Sequence, residues 1–354
     1  MSEQATARGK TIGKTIAAYR DGRIGRIRLD RPSALNALDV GMVRAMHAAL
    51  DLWRNQPLVH AVVVESTDPR AFCSGGDVRA IREFATAGDD AAIHDFFSAE
   101  YALNGAIAAY PKPYIALVDG ICMGGGIGIS VHGSARVASE HALFAMPETA
   151  IALFPDIGAS HVLPRLPGAL GVWLALTGTR LAGADAAHAG LATHFVPRAR
   201  FPALSAALAK DGPGVLAAFA ESLPPFSFAA QRAAIDRCFA SFSAPEIFSR
   251  LAAEPAPFGP DTLAALRGFS PSSIAWSLEI LRRGARQSLP AALAEELALV
   301  RRVARHPDFA EGVRAMLVDK DRKPRWTPPT IEDVDPAAIA PMFNDASFAG
   351  DPRE

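Results

Sequence analysis

The sequence predicts an α/β fold with a mainly helical C-terminal part, because its patterns change once along the chain. Over residues 21–200, strand patterns, glycine turns and helical patterns alternate, as they do in α/β folds. From Phe201 onward, Ala- and Leu-rich helical patterns dominate, and prolines interrupt them. We therefore predict a flexible N-terminal tail at 1–20, an α/β core at 21–200 and a helical region at 201–354.

Strand and helix patterns follow one another in the predicted core. Residues 26–30 alternate polar and apolar side chains, as a half-buried strand does, and residues 40–53 carry apolar side chains at helical spacing. The β-branched run at 62–64 is typical of a buried strand, and the apolar segment 112–119 predicts another. Each of these two strands leads towards a turn that is rich in glycine.

One helix of the C-terminal region has a clear apolar face. This face is formed by Leu293, Leu297, Val300 and Ala304. We place the neighbouring Glu295 and Glu296 on the outer side of the helix, since charged residues normally face water.

The charge balance and the hydropathy pattern exclude several classes of partner. The 36 basic and 37 acidic residues nearly cancel, and no basic run stands out. The polar N-terminus lacks the apolar core of a signal peptide, and no apolar stretch is long enough to span a bilayer. We therefore expect a soluble, cytoplasmic protein with neither nucleic acid nor a membrane as its partner.

The three cysteines and nine histidines do not form a recognisable metal or disulfide pattern. No cysteine pair has CxxC spacing and no HExxH is present, so we predict a reducing compartment and no metal site. Cys73 and Cys122 flank the glycine turns, but no histidine is tied to either by spacing. We interpret them as small buried residues rather than nucleophiles, and His132 as a structural residue rather than a base.

Two glycine-rich turns, around Gly76 and Gly125, are the candidates for a ligand site. A strand, glycines and a helix in this order often bind phosphate, because the first N–H groups of a helix have no helical partner. A P-loop is excluded, since no Gly-Lys-Ser/Thr follows either turn, and residues 124–128 lack the G-x-G-x-x-G spacing. Close helix–strand packing and an oxyanion hole made of two backbone N–H groups both stay open.

Longer segments around these turns resemble the enoyl-CoA hydratase/isomerase (crotonase) superfamily. The resemblance rests on AFCSGGD at 71–77, KPYIALVDG at 112–120 and MGGGIGISVHGSARVA at 123–138. Further segments are similar to the 3-hydroxyisobutyryl-CoA hydrolases, the thioesterases of valine catabolism within that superfamily. These segments lie at 143–166, 174–196 and 311–326. The resemblance implies a crotonase-like ββα spiral core at 21–200.

The resemblance also implies roles for four residues around the reacting group. The backbone N–H groups of Gly76 and Gly125 match the oxyanion donors of the family. Glu148 matches the acid that acts on the acyl group, and Asp156 matches a second acid of the hydrolases. Without the resemblance, Glu148 is equally typical of a helix start and Asp156 of a turn or an N-cap.

Two further residues match positions that contact the substrate. Glu100 matches a substrate-contacting glutamate, although a glutamate on a helix surface is common. Arg79 stands where relatives often carry a basic residue near the coenzyme A phosphates. The implied partner is therefore an acyl-CoA.

Gly128 is an informative departure from the family pattern. Hydratases place a second catalytic glutamate at this position, and the two carboxylates deliver water to a double bond. With Gly128 there, hydration is in doubt, whereas hydrolysis through Glu148 and Asp156 remains open.

The resemblance therefore implies hydrolysis of a short branched 3-hydroxyacyl-CoA, such as 3-hydroxyisobutyryl-CoA, to the free hydroxy acid and coenzyme A. Coenzyme A is part of the substrate, and we expect no further cofactor, because the thioester is already activated. Glu148 acts either as a nucleophile or as a general base. Another crotonase reaction, such as hydration or isomerisation, and non-catalytic acyl-CoA binding remain alternatives. A homo-oligomer is also open, since crotonase relatives often form trimers or pairs of trimers.

Overall fold

A computed structural model describes residues 15–343 of the chain, which form two compact units. The first unit contains the described residues up to Asp77 together with Ala99–Ala145 and Arg180–Ala230. The second contains Val78–Ser98, Met146–Thr179 and the described residues from Gln231 onward. Each unit thus combines separate stretches of the chain. The division at residues 20 and 200 made from the sequence stays a prediction.

The strands lie in the first unit and form two sheets within the described residues. Their bounds are β1 (Ile16–Asp21), β2 (Ile24–Leu29), β3 (Ala61–Ser66), β4 (Ala71–Cys73), β5 (Tyr114–Val118), β6 (Ile121–Met123), β7 (Ala135–Ala138), β8 (Leu143–Ala145), β9 (Leu181–Ala182) and β10 (His194–Phe195). The larger sheet has the order β1-β2-β3-β5-β7-β10 and the smaller sheet the order β4-β6-β8-β9. Only the β1–β2 and β8–β9 pairs are antiparallel among these strands.

The helices account for most of the remaining described chain. Their bounds are α1 (Val40–Arg54), α2 (Val78–Ala87), α3 (Asp90–Ala108), α4 (Gly125–Val131), α5 (Ala159–Val162), α6 (Leu170–Thr177), α7 (Gly183–Ala189), α8 (Phe201–Asp211), α9 (Leu216–Phe219), α10 (Arg232–Phe239), α11 (Ala244–Ala253), α12 (Phe258–Arg267), α13 (Pro271–Gly284), α14 (Leu289–Val303), α15 (Pro307–Val313) and α16 (Pro336–Ile339). From Phe201 to the last described residue, the regular elements are all helical. The predicted α/β class with a helical C-terminal part is therefore confirmed.

The core of the first unit explains why its strands are runs of apolar residues in the sequence. Alternate residues of the larger sheet, such as Val63 of β3 and Ile115 of β5, face one buried cluster. Leu204 and Leu208, four residues apart on α8, complete this cluster from the helix side. Because helices cover a mostly parallel sheet, β5 is buried along its whole length and β3 over its first four residues, and these stretches lack a polar face.

Strand β1 begins inside the segment that the sequence analysis assigned to a flexible tail. It pairs antiparallel with β2, and Ile16 and Ala18 are buried there. The alternation is short and partly carried by alanines, which have little strand preference, so the pattern is weak in the sequence. The rest of the predicted tail, residues 1–14, lies outside the described residues.

Helix α14 of the second unit corrects one prediction. Its buried residues include Leu293, Val300 and also Glu296, whose side chain is fully buried. Glu296 stands three residues after Leu293 and four before Val300, so helical spacing places it in the apolar stripe. Glu295 is half-buried and lies 2.6 Å from Arg283. The prediction that Glu296 faces outward was wrong because charge was given more weight than spacing.

Within residues 15–343, none of the helices combines the length and the apolar composition that crossing a membrane requires.

Candidate active site

The two glycine turns begin at the same edge of the smaller sheet. Strands β4 and β6 pair in parallel, with Cys73 opposite Cys122, so the turns that follow them start side by side. Gly76 also forms a parallel bridge with Leu38. A Cβ atom placed on Gly125 would stand 3.1 Å from the backbone nitrogen of Gly76. The structure therefore brings together the two glycines that the sequence analysis singled out.

The N–H group of Gly125 lies in the first turn of a helix. Gly124 precedes α4 with a φ of 45°, a backbone angle that glycine adopts without strain. Its carbonyl accepts hydrogen bonds from the N–H groups of Ile127 and Gly128, at 2.8 Å and 3.1 Å. The N–H of Gly125 precedes these and has no acceptor within its own helix. It also lies at the positive end of the helix dipole, which favours a partially negative oxygen.

Gly125 and Gly126 of the second turn each avoid a different steric clash. A Cβ atom on Gly126 would collide with the carbonyl oxygen of Cys73, so Gly126 is needed for packing of α4 against β4. A Cβ atom on Gly125 would collide with the Oε1 atom of Glu100. Close packing therefore requires Gly126, whereas glycine at position 125 leaves room for the Glu100 carboxylate.

Glu100 and Cys73 line the same region of the first unit. Glu100 lies on α3 and is only 2% exposed. Burial raises the pKa of the Cys73 thiol to about 12, and the charge of Glu100 adds to the rise. Burial also raises the pKa of Cys122 well above its ordinary value. Both thiols are therefore protonated near neutral pH, in agreement with their interpretation as buried residues rather than nucleophiles.

Glu148 begins a short 3-10 turn in the second unit and is 5% exposed. Its carbonyl oxygen accepts a hydrogen bond from the N–H of Leu153 at 3.0 Å. The next residue anchors the turn, because the Thr149 hydroxyl donates to the Leu176 carbonyl at 3.0 Å. The turn ends at Ala152, which has a φ of 54°. These bonds hold the backbone of the turn that carries Glu148.

Asp156 is 4% exposed and precedes a sharp change of chain direction. Ile157 and Gly158 have φ values of 58° and 83°, and α5 begins at Ala159. The N-cap of α5 is Gly158, which makes no side-chain capping bond. The alternative interpretation of Asp156 as an N-cap acid is therefore not what the structure shows.

A third buried acid in the second unit was missed by the sequence analysis. The Glu296 carboxylate accepts hydrogen bonds from the N–H groups of Gly158 and Ser160, at 2.6 Å and 2.9 Å, and from the Ser160 hydroxyl. Burial raises the pKa of Glu296 to about 8, and the neighbouring Asp156 also acts to raise it. The three hydrogen bonds act in the opposite direction. The only signal in the sequence was the place of Glu296 in the apolar stripe of α14.

Arg79 lies on α2 and borders a surface cleft of the second unit. Its guanidinium donates to the carbonyl of Leu317 at 2.6 Å. The cleft has a volume of about 340 Å³ and is lined by Arg79, Arg82, Glu83, Leu317, Val318 and Lys320. Three cationic side chains and one acid give it a net positive charge, which suits an anionic ligand.

The fold and the site motifs define the class to which the chain belongs. The sequence pattern of the enoyl-CoA hydratase/isomerase family matches residues 24–343, so the chain is a member of this family. The crotonase resemblance seen in the sequence is thereby confirmed.

Individual relatives narrow the comparison. The mitochondrial 3-hydroxyisobutyryl-CoA hydrolase of Xenopus tropicalis is 44% identical over 325 residues, which cover 88% of this chain and 84% of the relative. The human protein of the same name is 40% identical over 331 residues, covering 90% and 86%.

Two solved structures are similar over nearly the whole chain. A structure described as an enoyl-CoA hydratase from Rhodobacter sphaeroides 2.4.1 is 42% identical with a TM-score of 0.87, covering 93% of this chain and 97% of that one. A structure described as a carnitinyl-CoA dehydratase from Mycobacterium thermoresistibile is 37% identical with a TM-score of 0.90, covering 96% and 100%. These likenesses confirm the crotonase fold.

The names of the relatives correct the predicted location. The hydrolases from frog, rat and human are all named as mitochondrial, which points away from the cytoplasm, so that prediction was wrong. It rested on the lack of an apolar signal-peptide core at the N-terminus. Mitochondrial targeting segments are amphipathic rather than apolar, so this observation does not distinguish the two locations.

Proposed function

We propose that this protein is a thioesterase that hydrolyses 3-hydroxyisobutyryl-CoA to 3-hydroxyisobutyrate and coenzyme A. The observation that supports the proposal is the closeness of the two glycine turns, since a Cβ atom on Gly125 would stand 3.1 Å from the backbone nitrogen of Gly76. This geometry suits the developing negative charge on a thioester oxygen. The names of relatives that are 40–44% identical over most of the chain select this substrate among acyl-CoA thioesters.

The oxyanion hole proposed here consists of the N–H groups of Gly76 and Gly125. Donors of this kind are worth roughly 3–4 kcal/mol each when they act on the charge that develops in the transition state. Glycine at both positions allows the acyl group to approach the backbone closely. Glu100, whose carboxylate lies beside Gly125, is proposed to contact the acyl substituent.

Glu148 and Asp156 are proposed as the acids of the reaction, on the basis of their match to the family motif. Water adds to the thioester carbonyl carbon, the carbon–sulfur bond breaks and coenzyme A leaves as its thiol after taking up a proton. In this direct route Glu148 removes a proton from the attacking water. In the alternative route the Glu148 carboxylate attacks the carbonyl carbon and coenzyme A leaves, and water then hydrolyses the resulting anhydride to release the hydroxy acid and restore the Glu148 carboxylate. Asp156 is proposed to orient the water or the substrate hydroxyl. The thioester needs no metal or redox cofactor in this scheme.

Coenzyme A is proposed to place phosphate groups against the cationic cleft of the second unit. Arg79, Arg82 and Lys320 line this cleft. Guanidinium and ammonium groups are the usual partners of phosphate, because their bonds to it are charge-assisted.

Hydration of an enoyl-CoA is the second candidate function, because one similar structure is described as an enoyl-CoA hydratase. In this chain, Gly128 stands at the position where hydratases carry their second glutamate, and it is buried within α4. A carboxylate is therefore missing from that position. Hydrolysis, which does not need it, is the better supported reaction.

One pair of assays separates the two candidates. We expect the wild-type protein to release free thiol from 3-hydroxyisobutyryl-CoA and to leave crotonyl-CoA unhydrated. Glu148→Gln should lower thiol release by at least about 10²-fold, since general acid–base groups contribute this much or more. Glu332→Gln, at an exposed position of the second unit, is the matched control and should match wild type. Turnover of crotonyl-CoA without thiol release would overturn the proposal, and binding of coenzyme A without any turnover would favour a binding protein.

Two finer statements stay predictions of the proposal. The product 3-hydroxyisobutyrate fits valine degradation, and accumulation of its CoA ester in cells that lack the protein during growth on valine would support that placement. A homo-oligomer is predicted from the family, and light scattering of the purified protein tests it.

A further inference from the structure

A buried side chain from a distant helix bonds to the segment that follows Asp156. Glu296 bonds to the N–H groups of Gly158 and Ser160 and to the Ser160 hydroxyl, although it lies 136 or more residues further along the chain. Helix α13 closes the other side, because a Cβ atom on Gly284 would collide with the Ser160 carbonyl. The backbone after Asp156 is thus fixed from two helices of the same unit.

This segment needs to be held, because its backbone is strained. Ile157 is β-branched and has a φ of 58°, a conformation that costs such residues roughly 1–2 kcal/mol. Strained residues persist where the surrounding structure determines their conformation. The Glu296 bonds begin at the next residue, Gly158, and are therefore well placed to maintain the strained turn.

We propose that Glu296 is a positioning residue for hydrolysis, which fixes the Asp156 carboxylate through the backbone of residues 158–160. The inference rests on the function proposed above and on the role of Asp156 in it. Glu296 acts through hydrogen bonds to the turn and is not proposed to contact the substrate.

The charge state of Glu296 supports this arrangement. Its carboxyl, with a pKa of about 8, is mostly protonated at neutral pH, so the negative charge of Asp156 is not opposed by a second full charge close by. A carboxyl oxygen accepts hydrogen bonds in either state, whereas the amide nitrogen of glutamine does not. Glu296→Gln therefore leaves a backbone N–H of the turn without its acceptor in either amide orientation.

The test compares kcat and KM for 3-hydroxyisobutyryl-CoA in Glu296→Gln, Asp156→Asn and the double variant. We expect Glu296→Gln to lower kcat by at least about 10-fold with little change in KM, since the substrate is bound by other groups. The double variant should be no slower than Asp156→Asn alone, because Glu296 acts only through Asp156. Glu295→Gln, at the adjacent position of α14, is the control and should retain wild-type kinetics.

Two further measurements test the inference if Glu296→Gln does not fold or if its loss of activity has more than one explanation. Ser160→Ala removes one of the three hydrogen bonds and keeps the carboxyl, so a fall in kcat of about 3-fold is expected even if Glu296→Gln does not fold. Hydrogen exchange of the amides of residues 158 and 160 should be faster in Glu296→Gln than in wild type.

Three outcomes would overturn the inference. The first is a folded Glu296→Gln variant with wild-type kcat. The second is a double variant whose loss is the product of the two single losses, since a general structural effect would act independently of Asp156. The third is unchanged amide exchange at residues 158 and 160. If the wild-type protein releases no coenzyme A, the proposed function is wrong instead. Faster amide exchange in Glu296→Gln would then show that Glu296 still holds the turn, which separates this failure from a failure of the inference.

Discussion

The Oε1 atom of Glu100 lies within collision distance of the point where a Cβ atom on Gly125 would stand. The same point is 3.1 Å from the backbone nitrogen of Gly76 and 3.3 Å from Cδ1 of Leu38. Only a glycine at position 125 therefore allows the Glu100 carboxylate and the two turns to meet. The Glu100 side chain on α3 and the glycine at the start of α4 therefore depend on each other.

Gly125→Ala should lower both the rate of hydrolysis and the stability of the fold. The new methyl group pushes the Glu100 carboxylate away and crowds Gly76, so we expect thiol release to fall by about 10²-fold or more. The free energy of unfolding should fall by about 1–3 kcal/mol, as is usual for overpacking. Both are measured on the same preparation, by thiol release and by urea denaturation.

Gly214→Ala is the matched control for this prediction. A Cβ atom there meets nothing within 4 Å, so the same chemical change carries no steric consequence. Activity of Gly125→Ala within about 3-fold of the control would contradict the arrangement of Glu100 beside the glycine turns.

Short-range patterns explain which parts of the fold were predictable. Strand β5 and helix α1 were found because apolar spacing within one element is a local property. Strand β1 was missed because its alternation of buried and exposed residues is short. It is recognised as a strand only from its antiparallel pairing with β2. Its pairing, rather than its own composition, makes it a strand.

The site shows the same division between local and long-range information. Gly76, Gly125 and Glu148 lie in dense motifs, so a family resemblance identified them. Glu296 lies in an ordinary helical pattern, and its partner Gly158 is 138 residues away in the chain. No local spacing relates the two, and the pairing exists only once α14 has packed. Buried ionisable side chains that bond to a turn far away in the chain are therefore the residues that are hardest to identify from sequence.

Removing cations from the cleft of the second unit should weaken substrate binding without slowing the reaction. We expect Arg79→Ala to raise KM for the acyl-CoA by about 2- to 5-fold, the range of single exposed ion pairs, with kcat unchanged. The rise in KM should shrink at high salt, since exposed charges are screened. Steady-state kinetics at low and high salt measure both effects.

Arg286→Ala is the control for charge alone, because Arg286 is exposed in the same unit but does not line the cleft. If Arg79→Ala and Arg286→Ala change KM equally, the cleft has no special role in binding coenzyme A. A fall in kcat without a change in KM would likewise contradict the assignment of Arg79 to phosphate binding.

The three cysteines should be unreactive in the native protein. All are buried, and burial raises the pKa of Cys73 to about 12 and that of Cys238 to about 11. Because only the thiolate reacts quickly, a disulfide reagent should titrate no protein thiol in buffer and three after unfolding in denaturant. Rapid native reaction of one thiol, with loss of hydrolysis, would reopen a nucleophilic role for a cysteine.

The free energy of unfolding should depend on pH in the way that titration of Glu296 predicts. Its pKa rises from 4.5 to about 8 on folding, so the folded state binds more protons than the unfolded state between these values. The contribution of this group to the free energy of unfolding is therefore fully present below its unfolded pKa and is lost as pH rises towards 8. The slope is at most about 1.4 kcal/mol per pH unit for one proton.

Glu296→Gln lacks this titrating group, so its stability should depend less steeply on pH than that of wild type. Urea denaturation at two pH values about 1.5 units apart, both within the window, should show wild type losing about 2 kcal/mol more than the variant. Glu295→Gln should follow wild type, because it changes the adjacent acid of α14 and keeps Glu296. Parallel pH profiles for wild type and Glu296→Gln would mean that Glu296 is already ionised in the folded protein. The Asp156 turn would then lie beside a full negative charge.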